Sequence, residues 1–358
     1  MRAARLVRGL ASSTPLAFAA LATLAACGDN LGAAGDDAPP ADTAGLHVYH
    51  FGPYTLASGE EHAAQCVSVT LHNELPMFAN EITLTTGPGF HHSNWFWVPE
   101  DHYAGPDGTW PCSERGFDEP LAAAVGGVLF AQSTQATDES QAFPPGVAIP
   151  IPPHAKIVAG VHLLNASDEA VDTSLDLTVH TIPEDQLQVQ LAGLSFTDQA
   201  LDLPAGRRSS FTVDCDFDRI HQQQLGRPPD FHIYWVLPHY HTLGRGIDLV
   251  ATGAGGDTTV VSTEGTIGEP LGQRLAPPFS MSGHTGLRFT CRFDNPRDQD
   301  VYWGNGDQEM CVMLAFTDSE MQWGGGALDD EAGEPQDLGD HVAFQHPCQL
   351  YGLTANRW

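Results

Sequence analysis

The chain of 358 residues predicts an all-β protein built from two antiparallel β domains of similar size. Two observations carry this. Short runs of alternating apolar and polar residues recur along the chain, and clusters of Gly, Pro, Asn and Asp separate them, drawn from 37 Gly and 26 Pro. Convincing helical periodicity is scarce. Such a pattern reads as antiparallel sandwiches or barrels.

The first 26 residues stand apart from the fold. Arg2, Arg5 and Arg8 form a charged head, followed by an apolar run that Ser12, Ser13, Thr14 and Pro15 interrupt. The run closes on Leu24-Ala25-Ala26-Cys27-Gly28, which looks like a bacterial lipoprotein signal with Cys27 as the lipidation site. A transmembrane anchor needs ~20 mostly apolar residues, and this stretch is short and polar near its start. Residues 27–45 are rich in Gly, Ala, Asp and Pro and read as a flexible tether. The expected location is therefore that of an exported lipoprotein, periplasmic or at the outer membrane and cell surface. Membrane contact is expected only through the lipid on Cys27. Gly28 after the cysteine, in place of Asp, favours outer-membrane delivery.

Within the body, alternation marks Cys66-Val67-Ser68-Val69-Thr70-Leu71, Glu81-Ile82-Thr83-Leu84-Thr85 and Ser174-Leu175-Asp176-Leu177-Thr178-Val179. Residues 119–130 form one short helix or a loop carrying Gly126-Gly127. A boundary is expected at Thr181-Ile182-Pro183-Glu184-Asp185, with a new strand in Leu187-Gln188-Val189-Gln190-Leu191. This divides the body into 46–183 and 184–350. In the second part, Phe231-His232-Ile233-Tyr234-Trp235-Val236 and Gly286-Leu287-Arg288-Phe289-Thr290 repeat the strand style. Residues 323–339 read as a surface excursion and 351–358 as a short tail.

Charge excludes one class of partner. With 15 Lys+Arg against 45 Asp+Glu, the surface cannot neutralise phosphates, so nucleic acid is not expected. Anionic lipid is disfavoured for the same reason, and the acidity reads chiefly as a solvated, self-repelling surface. Once Cys27 is set aside, six cysteines remain: Cys66, Cys112, Cys215, Cys291, Cys311 and Cys348. An even set in an exported chain suggests three disulfides, and sequence alone leaves all pairings open.

The chemistry lies in the histidines. His91-His92 follows Gly87-Pro88-Gly89. Adjacent residues on a regular strand point to opposite faces, so the pair shares a metal only if the backbone turns between them. His162, inside the apolar run Lys156-Ile157-Val158-Ala159-Gly160-Val161-His162, is the candidate third ligand. In the second domain His239-Tyr240-His241 places two imidazoles at i and i+2, on one face of a strand. Met310, between a Gly-rich turn and Cys311, is the candidate third ligand there. Imidazole suits copper in both oxidation states, and a thioether favours Cu(I). Zinc fits three histidines formally, but Met310 argues against it at the second set. No Gly-x-Ser-x-Gly elbow and no phosphate-cradling Gly-x-x-x-x-Gly-Lys occur. His72, His154, His180, His221, His232, His284, His341 and His346 read as ordinary surface or structural residues.

In order, His91-His92, Val161-His162, His239-Tyr240-His241-Thr242-Leu243-Gly244 and Glu309-Met310-Cys311 resemble the copper type II, ascorbate-dependent monooxygenases. That is the family of peptidylglycine hydroxylating monooxygenase and dopamine β-monooxygenase. The resemblance spans roughly residues 46–350 and implies two tandem jelly-roll-like sandwiches. It implies two copper ions facing each other across a solvent-filled cleft. His91, His92 and His162 would hold the electron-transferring ion, and His239, His241 and Met310 the catalytic one. It implies the disulfides Cys66–Cys112, Cys215–Cys348 and Cys291–Cys311. Ascorbate or a similar donor is the implied reductant. Dioxygen and a small molecule are the implied substrates, and the chain is expected to be a monomer.

The chain departs from the peptidylglycine branch, where an arginine two residues before the first histidine of the second pair grips the substrate carboxylate. Here that position is Leu237. An asparagine and a tyrosine after the methionine are replaced by Val312 and Leu314. Leu237, Val312 and Leu314 would wall an apolar substrate pocket, and a carboxylate-terminated peptide is not expected. The rival readings are a non-catalytic copper-binding lipoprotein for storage, delivery or sensing, and a metal-free double jelly roll. The last would use Trp95, Trp97 and Trp110 as a polymer-binding platform.

Overall fold

The computed structural model describes residues 44–265, 267–304, 306–328, 333–355 and 357. The signal segment 1–26, the lipidation site Cys27 and nearly all of the tether lie outside the described residues.

Eight strands frame the first half: β1 (Gly45–Leu56), β2 (Glu61–Thr70), β3 (Met77–Thr86), β4 (Phe90–Pro99), β5 (Gly127–Ala131), β6 (Val147–Ile151), β7 (Ala155–Leu164) and β8 (Val171–Ile182); two short strands, Gly108–Pro111 beside β2 and Asp138–Ala142 beside β3, are added to them. They pair in the order 1-8-3-6 in one sheet and 2-7-4-5 in the other. Eight more build the second half: β9 (Ala192–Asp198), β10 (Arg207–Asp216), β11 (His232–His239), β12 (Gly244–Thr252), β13 (Thr258–Thr263), β14 (Gln273–Ser280), β15 (Gly286–Asn295) and β16 (Val312–Thr317). Their orders are 9-16-11-14 and 10-15-12-13. Subtracting eight from each number returns the order of the first half. Both halves thus share an eight-stranded double-sheet jelly-roll framework with the same topology, to which further short strands are added.

The alternating runs form strands because each buries one face against the opposite sheet. Ile82 and Leu84 of β3, Leu175, Leu177 and Val179 of β8, and Trp95, Ile157 and Ala159 of the facing sheet share one buried cluster. In the second roll, Phe211, Val213, Phe289 and Phe293 meet Leu194, Phe196, Ile233 and Val236 in the same way. A short helix, α1 (Glu119–Val125), covers the outer face of β4 and β5, capped by the Asp118 carboxylate on the Leu121 amide.

Several expectations need correction. The segment 187–191 does not open the second roll. Val189–Gln190 pairs in parallel with Val147–Ala148 of the first, so the connection stays bonded to the roll it leaves. Residues 323–339 are not simply a surface excursion: Met321–Ala327 is a strand (β17) beside β9, and Trp323 is buried. The tail is not free either. Gln349–Thr354 (β19) pairs antiparallel with β17, and His341–Pro347 (β18) pairs with β10, extending both sheets.

The remaining histidines of the second half make structural hydrogen bonds. His346 Nδ1 donates to the fully buried Asp198 carboxylate at 2.9 Å, His221 Nδ1 to the Arg227 carbonyl, and His232 bonds Asp318. His341 bonds Asp340, and His284 bonds Thr258.

All three implied disulfides are formed: Cys66–Cys112, Cys215–Cys348 and Cys291–Cys311. The second ties β10 to the end of the chain. The third closes a loop of sequence separation 20 around Met310. Removing it as a Cys291→Ala, Cys311→Ala pair should lower stability by about 3 kcal/mol, as loop closure of this size suggests. An unchanged urea midpoint would contradict that.

The two rolls share an apolar interface. Tyr234, Trp235 and Leu237 of β11 and Phe316 of β16 join the buried cluster of the first roll with Phe130 and Phe143. The Phe143 ring meets Trp235 and Phe316 edge-on at 6.3 and 5.5 Å. On the other face of β11, Ile233 and Val236 belong to the second roll's own core. The strand is therefore buried on both faces, which is why its sequence runs nearly continuously apolar.

Candidate metal centre

The paired histidines of the first roll converge through a β-bulge. Phe90 pairs with Leu163, and His92 pairs with His162, leaving His91 as the extra residue on β4. A bulge breaks the strict alternation, so both side chains can serve one point. Gly89, at φ +77°, makes the approach, and its carbonyl accepts the Leu164 amide. His162 sits between Val161 and Leu163, which both point into the core, so its ring emerges on the opposite face. The rings of His91, His92 and His162 lie 4.5 to 5.2 Å apart by centroid, and one potential ligand atom from each falls within 4.8 Å of the others. His162 Nε2 meets the Glu61 carboxylate at 2.7 Å, and its Nδ1 lies 3.3 Å from His92 Nε2.

The second pair is built differently from the expectation of one strand face. His239 ends β11, whereas His241 lies in the turn before β12. Tyr240 is buried beneath that turn, its hydroxyl donating to the Gly265 carbonyl. A side chain at position 244 would collide with the Tyr240 ring, a Cβ falling 2.0 Å from Cδ2, so glycine is required there. The Glu309 carboxylate accepts the amides of His241 at 2.9 Å and Leu243 at 2.6 Å, and that of Met310. Burial pushes its carboxyl up to about 7, and the amide donors oppose that rise. His241 Nδ1 donates to the Gln308 carbonyl at 2.8 Å, and His239 Nδ1 to the Ser133 carbonyl at 2.9 Å. Met310 is half-buried, between the Glu309 clamp and the disulfide-bonded Cys311.

The two sets do not face each other across an open cleft. His91 lies 6.0 Å from His241 by ring centroid, and His92 lies 5.8 Å from His239 and 5.9 Å from His241. Five imidazoles form one contiguous nest, because the apolar interface draws the rolls together beside it. The implied solvent-filled cleft between the two sets is corrected accordingly. The expected substrate wall is also covered. Leu237, paired with Leu314, is 1% exposed within the interface cluster, and Val312, paired with His239, is half-buried. Trp95, Trp97 and Trp110 are core residues and offer no platform.

Charge is disfavoured at four rings of the nest. Burial, with the neighbouring imidazoles adding to it, holds His91 and His239 down to about 3, keeps His92 well below the usual range, and lowers His241. Neutral imidazole is the form that binds metal. His91 Nδ1 and His241 Nε2 are buried with no hydrogen-bond partner. A buried unpaired ring nitrogen costs about 1–3 kcal/mol, and a metal ion would relieve it. His162, His239 and His241 each hydrogen-bond through one nitrogen to an oxygen acceptor, which is how metal-binding histidines are oriented. The histidine nitrogens therefore fit a metal ion. Glu61, Glu309, Ser133 and Glu139 support the ligands without a sequence signal of their own, except that Glu309 stands beside Met310.

No family model matches the chain, and no curated protein does. Among solved structures, similarity extends to the major capsid protein P2 of bacteriophage PM2, at 7% identity over 76% of this chain and 97% of that one, TM-score 0.28. Naturally empty particles of cowpea mosaic virus give 10% identity over 81% and 95%, TM-score 0.34. The PBSX exported protein XepA gives 9% over 78% and 88%, TM-score 0.21. Likeness at this level bears on neither function nor assembly.

Proposed function

We propose that this chain is a copper-dependent monooxygenase of the type II, ascorbate-dependent kind, anchored to a membrane through lipid on Cys27. The observation that carries the reading is the nest of five imidazoles, two of them with orphaned buried nitrogens, flanked by the clamped loop that bears Met310. His91, His92 and His162 would hold one ion, and His239, His241 and Met310 the other. Copper, when bound, supplies one-electron and dioxygen chemistry. The chain's own part is to keep His91, His92, His239 and His241 neutral, to aim the free ring nitrogens and to exclude water. Glu61 receives the His162 Nε2 proton, the Gln308 and Ser133 carbonyls fix His241 and His239, and the Met310 thioether favours the reduced ion. Leu237, Val312 and Leu314 suit an apolar small-molecule substrate, whose C–H bond would be hydroxylated at the expense of dioxygen and ascorbate. Leu237 itself is buried, so the half-buried Val312 and Leu314 are the part of that wall open to a substrate.

The burial of the ligands, four of them 3% to 8% exposed, favours a second reading: a copper-holding lipoprotein for storage, delivery or sensing. One experiment separates them. Copper-loaded protein is reduced anaerobically with ascorbate and then exposed to dioxygen with and without candidate apolar substrates. Substrate-dependent copper reoxidation and an oxygenated product are expected. Retained Cu(I) with every substrate, together with ready copper transfer to a competing chelator, would instead mark a carrier.

A further inference from the structure

The acceptor that orients the second roll's His239 belongs to the first roll. Segment 132–139, which supplies it, is tied down on every side. The Gln132 amide donates to the carbonyl of Ser93, the residue after His92, at 3.2 Å. The Gln132 side-chain amide bonds the Ala136 carbonyl. Both Glu139 carboxylate oxygens accept the Ser133 amide at 3.1 Å, and one also accepts the Ser133 hydroxyl. On the side of the second roll, the Thr134 hydroxyl donates to the Glu269 carbonyl at 2.6 Å, and the Leu271 amide donates to Ser133 Oγ at 2.8 Å. Ser133 and Glu139 are both buried, so these bonds are not exchanged with water and hold one geometry.

A carbonyl only accepts, so the imidazole nitrogen facing it must carry the proton. His239 is thereby held with hydrogen on Nδ1 and a bare lone pair on Nε2. We propose that segment 132–139 is a positioning strut: through the Ser133 carbonyl it sets the tautomer and aim of His239, and it completes the second roll's ligand pair only while the two rolls are docked. His241 provides an internal contrast. Its Nδ1 partner, the Gln308 carbonyl, lies in its own roll, so the strut does not act on it. The consequence for copper rests on the proposed function; the tautomer does not.

The test uses metal-free full-length protein with 15N-labelled histidine. In the wild type, both His239 and His241 should show the Nδ1–H tautomer by NMR. In Glu139→Ala, His239 should become a mixture of tautomers while His241 keeps its own. Glu139→Gln, which retains one acceptor oxygen, should restore His239 in large part. Ser133→Ala, which keeps the carbonyl and the backbone amide bonds to Glu139 but removes the hydroxyl's bonds to Glu139 and Leu271, serves as the second variant and should shift the His239 tautomer in the same direction to a smaller extent. Titration with Cu(II) alone should then show the weaker of two binding events falling by about 10- to 100-fold, with the three-histidine event retained. An unchanged His239 signal in both variants, or equal changes at His239 and His241, would overturn the strut. Wild-type protein that takes up no copper would instead sink the proposed function and leave the tautomer result standing.

Discussion

Replacement of His162 by alanine is expected to cut copper uptake from two ions to one. His162 is the cross-strand partner of His92, lies 4.5 Å from His91 by ring centroid, and hands its other nitrogen to Glu61. Its loss leaves the bulged pair His91-His92 with two imidazoles, too few for a closed three-coordinate set. Loss of an outer partner such as Glu61 costs about 10- to 100-fold in metal affinity, and loss of the ligand itself should cost more. Glu61→Gln should therefore fall between the wild type and His162→Ala. Copper stoichiometry after dialysis, with X-ray absorption reporting the count of nitrogen scatterers, reads this directly. Two ions retained at wild-type affinity in His162→Ala would remove the three-histidine site from consideration.

Acid should destabilise the metal-free protein strongly. The unfolded chain protonates its histidines near pH 6.5. The folded nest keeps His91 and His239 neutral down to about pH 3, and His92 and His241 are shifted in the same direction. Between these limits the unfolded state binds more protons, so stability is complete above pH 6.5 and is lost as pH falls toward 3. For the buried His239 alone the loss at pH 5 is roughly 2 kcal/mol, from about 1.4 kcal/mol per pH unit. Urea midpoints of metal-free protein between pH 7.5 and 4.5 should fall accordingly, and a His92→Gln, His239→Gln variant should flatten the slope. Bound copper should shift the loss to lower pH, since protons must then displace the metal. A pH-independent midpoint in the metal-free protein would mean that the imidazoles are open to water.

Much of the architecture was legible in the linear chain because period-two alternation is a local property. Cys66 to Thr70, Glu81 to Thr85 and Ser174 to Val179 lie in strands β2, β3 and β8, as their patterns require. The cysteine pairing came instead from the resemblance, since six cysteines alone leave every pairing open, and all three pairs are formed. The run Tyr234-Trp235-Val236-Leu237 was less transparent. A strand apolar on both faces looks much like an ordinary core strand until the partner on its second face is known, and that partner is the first roll. The residues 349–354 failed as a strand for the opposite reason. They are an added edge whose pairing with β17 comes from tertiary contact and leaves a weak apolar pattern.

By itself the sequence determined the all-β class and the order of the histidines proposed as ligands, since these depend on residue type and spacing along one chain. Tertiary structure alone decided that a bulge turns His91 toward His92, that His241 approaches from a turn, and that the Ser133 carbonyl of one roll orients His239 of the other. It also decided that five rings share one nest. The physical reason is that hydrogen-bond direction and interface burial are set by segments more than a hundred residues apart, as Ser133 and His239 are. No local pattern encodes such a meeting; only the docking of two independently wound rolls creates it.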